Sequence, residues 1–266
     1  MFNPRKLQFL LLKIVLLGNI CAIIALIVRF KKELIMREDG RENDQIRRVK
    51  FTKGFTKHAP GSVLVEFGDT KVIVCASVEN VKPKWMPKDE ISGWISAEYS
   101  LLPSSTNVRC QRERTKLSGR TQEIQRLIGR SIRACVNLEK LGERTITIDA
   151  DVIQADGGTR VASICGAYVA LTELINKLLK SGELTENPII EPIAAISVGI
   201  KDGVVLADLC YSEDSTTDVD ANVVMTQSGK IIEFQATAEG QTFTREQLDK
   251  MYDVAQNAIQ KIIKMY

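Results

Sequence analysis

Residues 7–28 (LQFLLLKIVLLGNICAIIALIV) form an almost unbroken apolar run, and only after Met36 does the chain settle into alternations of hydrophobic and polar positions. Short β-branched runs come first. Residues 47–52 (RRVKFT), 62–67 (SVLVEF) and 71–76 (KVIVCA) read as strands, and the Gly68-Asp69-Thr70 link between the last two predicts a β-hairpin. Residues 85–93 form a loop with prolines and charges that ends at a further strand, 94–99 (WISAEY). The period then changes. Over 119–138, Ile124, Leu127, Ile128, Cys135 and Leu138 make the stripe of a helix bounded by Gly119 and Gly142. Its polar side carries Arg126, Arg130 and Arg133 on one face, with Arg120 at its N-terminal end, and reads as a solvated face or a subunit contact.

A strand at 145–153, a Gly-Gly turn and a helix at 161–179 follow, the helix apolar on nearly every side and hence buried. The second half repeats the style. Strands at 195–200 and 204–209 flank Asp202-Gly203, and strands at 223–226 and 231–234 flank Ser228-Gly229, two further hairpin signatures. The closing segment, 244–265, is an amphipathic helix with Thr244 as N-cap and Leu248, Met251, Val254, Ala255, Ala258 and Ile262 as its stripe. No linker rich in Pro, Gly or Ser divides the body, which argues for a single domain over residues 36–266.

With 44% apolar and 26% charged residues among 266, the chain has ordinary globular proportions. The net charge of +3 resides in the leader, where Arg5, Lys6, Lys13, Arg29, Lys31 and Lys32 face only Glu33. A nucleic-acid function must therefore rest on local basic clusters. The leader, residues 1–35, has two readings. It is long enough to span a bilayer and is flanked by basic residues, as a membrane anchor would be. Alternatively, Met36 opens a polar segment (MREDGRENDQIRRV) that looks like the start of a soluble protein, and Lys32-Glu33 can be encoded as AAG-GAG, a ribosome-binding site read as protein. If Lys32 and Glu33 are not encoded by AAG-GAG the second reading loses its argument, and fractionation separates a membrane-tethered from a cytoplasmic protein. Six cysteines without a Cys-x-x-Cys pair suit reduced, mostly buried thiols, and the single histidine, His58, has no nucleophile motif beside it.

Three segments carry candidate chemistry. Residues 155–160 (ADGGTR) follow a strand and open a helix, so Gly157 and Gly158 allow a sharp turn while the free helix N–H groups and Arg160 make an anion site suited to phosphate. Residues 211–222 (YSEDSTTDVDAN) crowd four carboxylates into a short span, a pattern of a solvated acidic turn or of a site for magnesium or manganese. A basic, hydroxyl-rich loop at 103–116 suits a nucleic-acid backbone and equally a flexible solvated loop.

In this order, these segments resemble the bacterial ribonuclease PH family. The matching stretches are 55–72, 94–103 (WISAEYSLLP), 119–134 (GRTQEIQRLIGRSIRA), 151–160 (DVIQADGGTR), 213–225 (EDSTTDVDANVVM) and 236–249 (ATAEGQTFTREQLD). The resemblance implies an α+β fold, the ribonuclease PH fold, built as a ribosomal-protein-like ββαβα duplication in a single domain. It also implies homohexameric rings (trimers of dimers) and a phosphate-dependent 3′-to-5′ exoribonuclease that trims transfer-RNA precursors and other RNA 3′ ends. Such an enzyme serves transfer-RNA and ribosomal-RNA processing and RNA turnover, releasing nucleoside diphosphates reversibly. By position, Arg120, Gly158, Thr159 and Arg160 would hold the attacking inorganic phosphate. Asp214 and Asp220 would bind Mg2+ or Mn2+, or protonate the leaving 3′ oxygen, and Arg109, Arg112 and Arg126 would contact RNA. Ser104 stands where the family has an arginine, and Cys210 where it often has an acid. The alternative is a non-catalytic RNA-binding ring subunit.

Overall fold

The computed structural model describes residues 37–266, so both readings of the leader, and Cys21, lie outside the described residues. Chain contacts divide the protein into two units. In the first, Met1–Glu42, the described part is a turn in which the Arg41 amide donates to Asp39. The second, Asn43–Tyr266, carries all the elements below.

Strands β1 (Val49–Lys53), β2 (Gly61–Phe67) and β3 (Thr70–Glu79) form an antiparallel meander. Phe67 pairs with Thr70, so the link is a two-residue Gly68-Asp69 turn, one residue tighter than the sequence suggests. Strand β4 (Trp94–Leu101), helices α1 (Gly119–Ala134) and α2 (Leu138–Leu141), strand β5 (Thr145–Gln154) and helix α3 (Thr159–Ser181) complete the first half. Its sheet has the order β1-β2-β3-β5-β4, in which β4 and β5 are the parallel pair. The second half runs β6 (Ile193–Lys201), β7 (Val204–Ala207), α4 (Tyr211–Asp214), β8 (Val219–Thr226), β9 (Ile231–Ala238) and α5 (Arg245–Ile263), with sheet order β7-β6-β8-β9. Both halves thus carry the ββαβα order, β3-β4-α1-β5-α3 in the first and β6-β7-α4-β8-α5 in the second, with β1, β2 and β9 as added strands.

Helix α3 is the shared core. It contacts β2 and β3 of the first sheet and β6 of the second. That explains an apolar surface on nearly every side: Val161, Ile164, Leu171, Leu174 and Ile175 are fully buried. Each such side chain contributes about 1.5–3 kcal/mol of hydrophobic free energy. Close approach depends on Gly166, where a Cβ would stand 2.6 Å from methyl carbons of Val65 and Val74.

Three expectations need correction. The helix expected over 119–138 ends at Ala134, because residues 188–190 claim the backbone beyond it. Val136 bridges Ile189, the Asn137 amide donates to the Pro188 carbonyl at 2.8 Å, and the Ile190 amide donates to the Cys135 carbonyl at 2.8 Å. Arg133 is no part of a solvated face. Its Nη1 donates to the Ile95 carbonyl at 2.7 Å, and the guanidinium lies 4.4 Å from the centroid of the Trp94 ring, a cation–π contact. Finally, only Cys135 and Cys165 of the five described cysteines are buried, although all five are free thiols. Burial pushes these two thiols up to about 12 and about 11, so they stay protonated and inert.

Candidate active site

The Asp156-Gly157-Gly158 turn between β5 and α3 is held from several directions. Gly157 and Gly158 have φ of 73° and 67°, the left-handed region where glycine has no steric penalty. At Gly157 space is as decisive as φ, because a Cβ would lie 2.6 Å from the Leu209 carbonyl oxygen and 2.8 Å from the Cys210 carbonyl carbon. The turn therefore packs directly on the segment leading into α4. Thr70 Oγ1 accepts from the Asp156 amide at 2.9 Å and donates to the Gly157 carbonyl at 2.6 Å. On the α4 side, the Tyr211 amide donates to Asp156 Oδ1 at 3.2 Å.

Beneath the turn lies Arg47, which sequence reading did not single out. Its guanidinium donates to the Asp156 and Gly157 carbonyls. Asp208 accepts from the Arg47 amide at 2.7 Å, from Nε at 3.0 Å and from Nη2 at 2.7 Å. Burial alone would pull the guanidinium pKa down, but the charge and hydrogen bonds of Asp208, with Asp156 behind them, raise it. Arg47 stays charged.

Above the turn opens a cavity of about 320 Å³ lined by Arg120, Gly157, Gly158, Thr159, Arg160, Asp214 and Asp220, together with Tyr211, Asn222 and residues 106–108. Each charged group has a reason to be there. Arg120 stands in the first turn of α1, where the N-cap Ser118 accepts from the Thr121 amide at 3.2 Å. Thr159 and Arg160 open α3, whose N-cap is Gly158 with no side chain to occupy the first N–H groups. From β4 below, the Tyr99 hydroxyl meets Thr159 Oγ1 at 2.8 Å, and burial raises its pKa, keeping the phenol neutral. Arg160 Nη1 donates to Glu123 Oε1 at 3.1 Å and to Gln235 Oε1 at 3.3 Å.

Asp214 ends α4 and Asp220 is the second residue of β8, paired with Gly199 of β6 and Thr237 of β9. Partial withdrawal from water and the neighbouring Asp220 charge raise the pKa of Asp214, against the lowering effect of Arg160 and Arg120. Two guanidinium groups and a helix N-terminus thus share one cavity with two carboxylates, one of which holds its proton more tightly than usual. Such a site can hold an anion on one side and deliver a proton or a cation on the other. Replacing Asp220 with Asn removes the like charge, so the Asp214 pKa is expected to fall toward the ordinary carboxylate range. A carboxyl-carbon NMR titration of both proteins in chelator-treated buffer reads this directly, and an unmoved Asp214 would show that the two carboxylates do not interact.

The structure brings Arg120, Gly158, Thr159, Arg160, Asp214 and Asp220 to one cavity. It places Arg109, Arg112 and Arg126 on the exposed surface outside the lining: Arg109 follows Val108 at the rim, Arg112 exerts its charge on Asp151 of β5, and Arg126 lies on α1. His58 is exposed in the β1–β2 loop and does not line the cavity. Arg47, Tyr99, Glu123, Asp208 and Gln235 escaped the sequence reading because each acts through a partner far along the chain.

Residues 45–174 match the 3′ exoribonuclease family, domain 1, and residues 191–258 match domain 2 of the same family. Among solved structures, the chain superposes on the Archaeoglobus fulgidus exosome with RNA bound to the active site (TM-score 0.73, 24% identity, covering 89% of this chain and 95% of that one). An archaeal exosome core gives a TM-score of 0.71 at 24% identity, covering 89% and 93% of the two chains. Rice (Oryza sativa) Rrp46 gives 0.68 at 20% identity, covering 86% and 97%. At these identities the likenesses establish the fold.

Proposed function

Since the chain belongs to the 3′ exoribonuclease family, matched in both of its domains, we propose that it is the phosphate-dependent 3′-to-5′ exoribonuclease of that family, acting on transfer-RNA precursors and other RNA 3′ ends. The observation that carries this reading is the cavity, which sets an arginine-lined helix mouth beside a carboxylate pair.

In the proposed reaction an oxygen of inorganic phosphate attacks the terminal phosphorus of the RNA. The bond from that phosphorus to the 3′ oxygen of the preceding nucleotide breaks, the freed oxygen takes a proton, and a nucleoside diphosphate leaves. An anionic attacker approaching an anionic diester needs cationic restraint, which Arg120, Arg160 and the α3 N-terminus would supply, with the Thr159 hydroxyl as a further donor. The leaving oxygen gains negative charge and needs a proton or a cation, which Asp214 and Asp220 would supply within the same cavity.

The donor set fits a hard divalent cation. Both are oxygen ligands whose mutual repulsion a cation would relieve. Mg2+ characteristically takes one or two carboxylates and fills its remaining positions with water and phosphate oxygens. Asp214 and Asp220 would hold Mg2+ or Mn2+, and the bound ion would neutralise charge at the leaving oxygen. The exposed Arg109, Arg112 and Arg126 would bind the RNA backbone. The assembly in this reading is a homohexameric ring, a trimer of dimers; cytoplasmic action follows if the chain starts at Met36, and membrane tethering if residues 7–28 are an anchor.

The test is incubation of the purified protein with a transfer-RNA precursor bearing a single-stranded 3′ tail and magnesium, with and without inorganic phosphate. Nucleoside diphosphates released only with phosphate are the expected result. Monophosphates released without it would replace phosphorolysis by hydrolysis. RNA binding and ring assembly without release would make the chain a non-catalytic ring subunit.

A further inference from the structure

Arg160 is not a free cation at the mouth of α3. Its Nη1 is shared between Glu123 Oε1 at 3.1 Å and Gln235 Oε1 at 3.3 Å, and Gln235 Nε2 donates to the same Glu123 oxygen at 3.2 Å. The three side chains close a triangle whose corners come from α1, α3 and β9, elements of both halves of the fold. Two residues along β9, Glu233 accepts from Arg130 Nη2 of α1 at 3.0 Å, so the same helix and strand are fastened twice.

The geometry has a chemical consequence. A guanidinium presents five N–H bonds in a plane, and a phosphate is gripped best by two parallel N–H groups from one edge of that plane. With the Nη1 protons committed to Glu123 and Gln235, the Nε and Nη2 edge remains, and among the described residues that edge has no hydrogen-bond partner. Arg160 lines the cavity beside Thr159 and Gly158. The side chain is only 20% exposed, so little of its freedom remains once the triangle is closed. Without the triangle, a long side chain at a helix mouth would sample several rotamers, and holding it in one would cost conformational entropy at each binding event.

We propose that Glu123 and Gln235 are positioning residues that fix the Arg160 guanidinium with its free edge toward inorganic phosphate. They thereby set the affinity for that substrate separately from the affinity for RNA. The inference rests on the reading of Arg160 as a phosphate ligand and adds what makes it an effective one. Glu123 acts here as a hydrogen-bond acceptor more than as a charge. Its side chain is 43% exposed, where solvent screens the ion pair, whereas the direction of its bond to Nη1 is retained by any acceptor of the same length.

The experiment measures calorimetric binding of inorganic phosphate and, in steady-state phosphorolysis, the KM for phosphate, the KM for RNA and kcat. It compares the wild type with Glu123→Ala, Glu123→Gln and Gln235→Leu. Loss of one bond to a charged donor is expected to weaken phosphate binding and raise its KM about tenfold in Glu123→Ala and Gln235→Leu, with kcat and the KM for RNA within about twofold. Glu123→Gln, which keeps an oxygen for Nη1, is expected to restore phosphate binding to within about twofold of wild type. A carboxylate that competed with phosphate for Arg160 would give tighter phosphate binding in both Glu123 variants, and that result overturns the proposal. Equal losses in every parameter, or none in phosphate binding, overturn it as well. If the wild type binds phosphate without turning RNA over, the proposed activity fails while the calorimetric comparison still decides the positioning role. If it binds no phosphate, both fail.

Discussion

Arg47→Ala is expected to lower the unfolding free energy by about 3–5 kcal/mol, because it leaves the Asp208 carboxylate buried with its principal charge partner removed. For a body of this size that corresponds to a fall in Tm of roughly 6–20 °C, measurable by calorimetry or circular dichroism. The side chains of Arg47 and Asp208 are 6% and 0% exposed, so solvent cannot replace either partner. Two side-chain bonds to Asp208 and two to the carbonyls of the Gly-Gly turn are lost together, while the bond from the Arg47 amide to Asp208 belongs to the backbone and is retained. Asp208 itself stands at φ 53°, a conformation that Asn tolerates, so Asp208→Asn keeps the backbone while removing the charge. That variant is expected to lose less stability than Arg47→Ala, yet still to loosen the turn at Asp156 and Gly157. A loss below about 1 kcal/mol in Arg47→Ala would mean that the turn is held by Thr70 and by packing on residues 209–211 alone.

That pair also lies beyond what local sequence pattern can carry. Hairpins, the closing helix and the buried central helix were legible because their signals are local: alternation with period two, a turn at fixed spacing, an N-cap three residues before its partner. The Asp202-Gly203 turn between β6 and β7 and the Thr244 cap of α5 appear where the sequence puts them. Most of the cavity's own residues were legible too, since Gly157, Gly158, Arg160, Asp214 and Asp220 concentrate in two short segments, whereas Arg120 was marked only by the family resemblance. Arg47 and Asp208 are 161 positions apart, and nothing in RRV or ADL says that one neutralises the other. The same holds for Arg160, Glu123 and Gln235, and for Arg133 on Trp94, where a helical-spacing argument sees a polar face but not the aromatic ring that covers it. The break of α1 after Ala134 was hidden for the same reason, because the residues that capture its backbone lie some fifty positions downstream.

Alanine at Asp214 or Asp220 is expected to reduce kcat for phosphorolysis by about 10²–10³, the usual consequence of removing one preorganised electrostatic contact to a charge that develops during reaction. RNA affinity should change little, since neither carboxylate favours binding an anion. Arg120→Ala and Arg160→Ala make the contribution of the arginines visible, and their losses should appear largely in the KM for phosphate. The two aspartates are distinguishable through protons. The Asp214 pKa is raised from its ordinary value because the carboxyl is partly withdrawn from water and faces Asp220. If the pair holds a divalent cation, protons compete with that ion, so the magnesium concentration needed for half-maximal rate should rise as pH falls through the raised pKa of Asp214. Asp220→Asn would move that dependence to lower pH while leaving little activity to measure, so the titration is best followed by metal binding. If Asp214 instead delivers the proton to the 3′ oxygen, Asp214→Asn loses turnover at every magnesium concentration while magnesium affinity stays close to wild type. Near-normal turnover in either alanine variant removes that residue from the chemistry and leaves the arginine-lined helix mouth as a phosphate site without its electrophile.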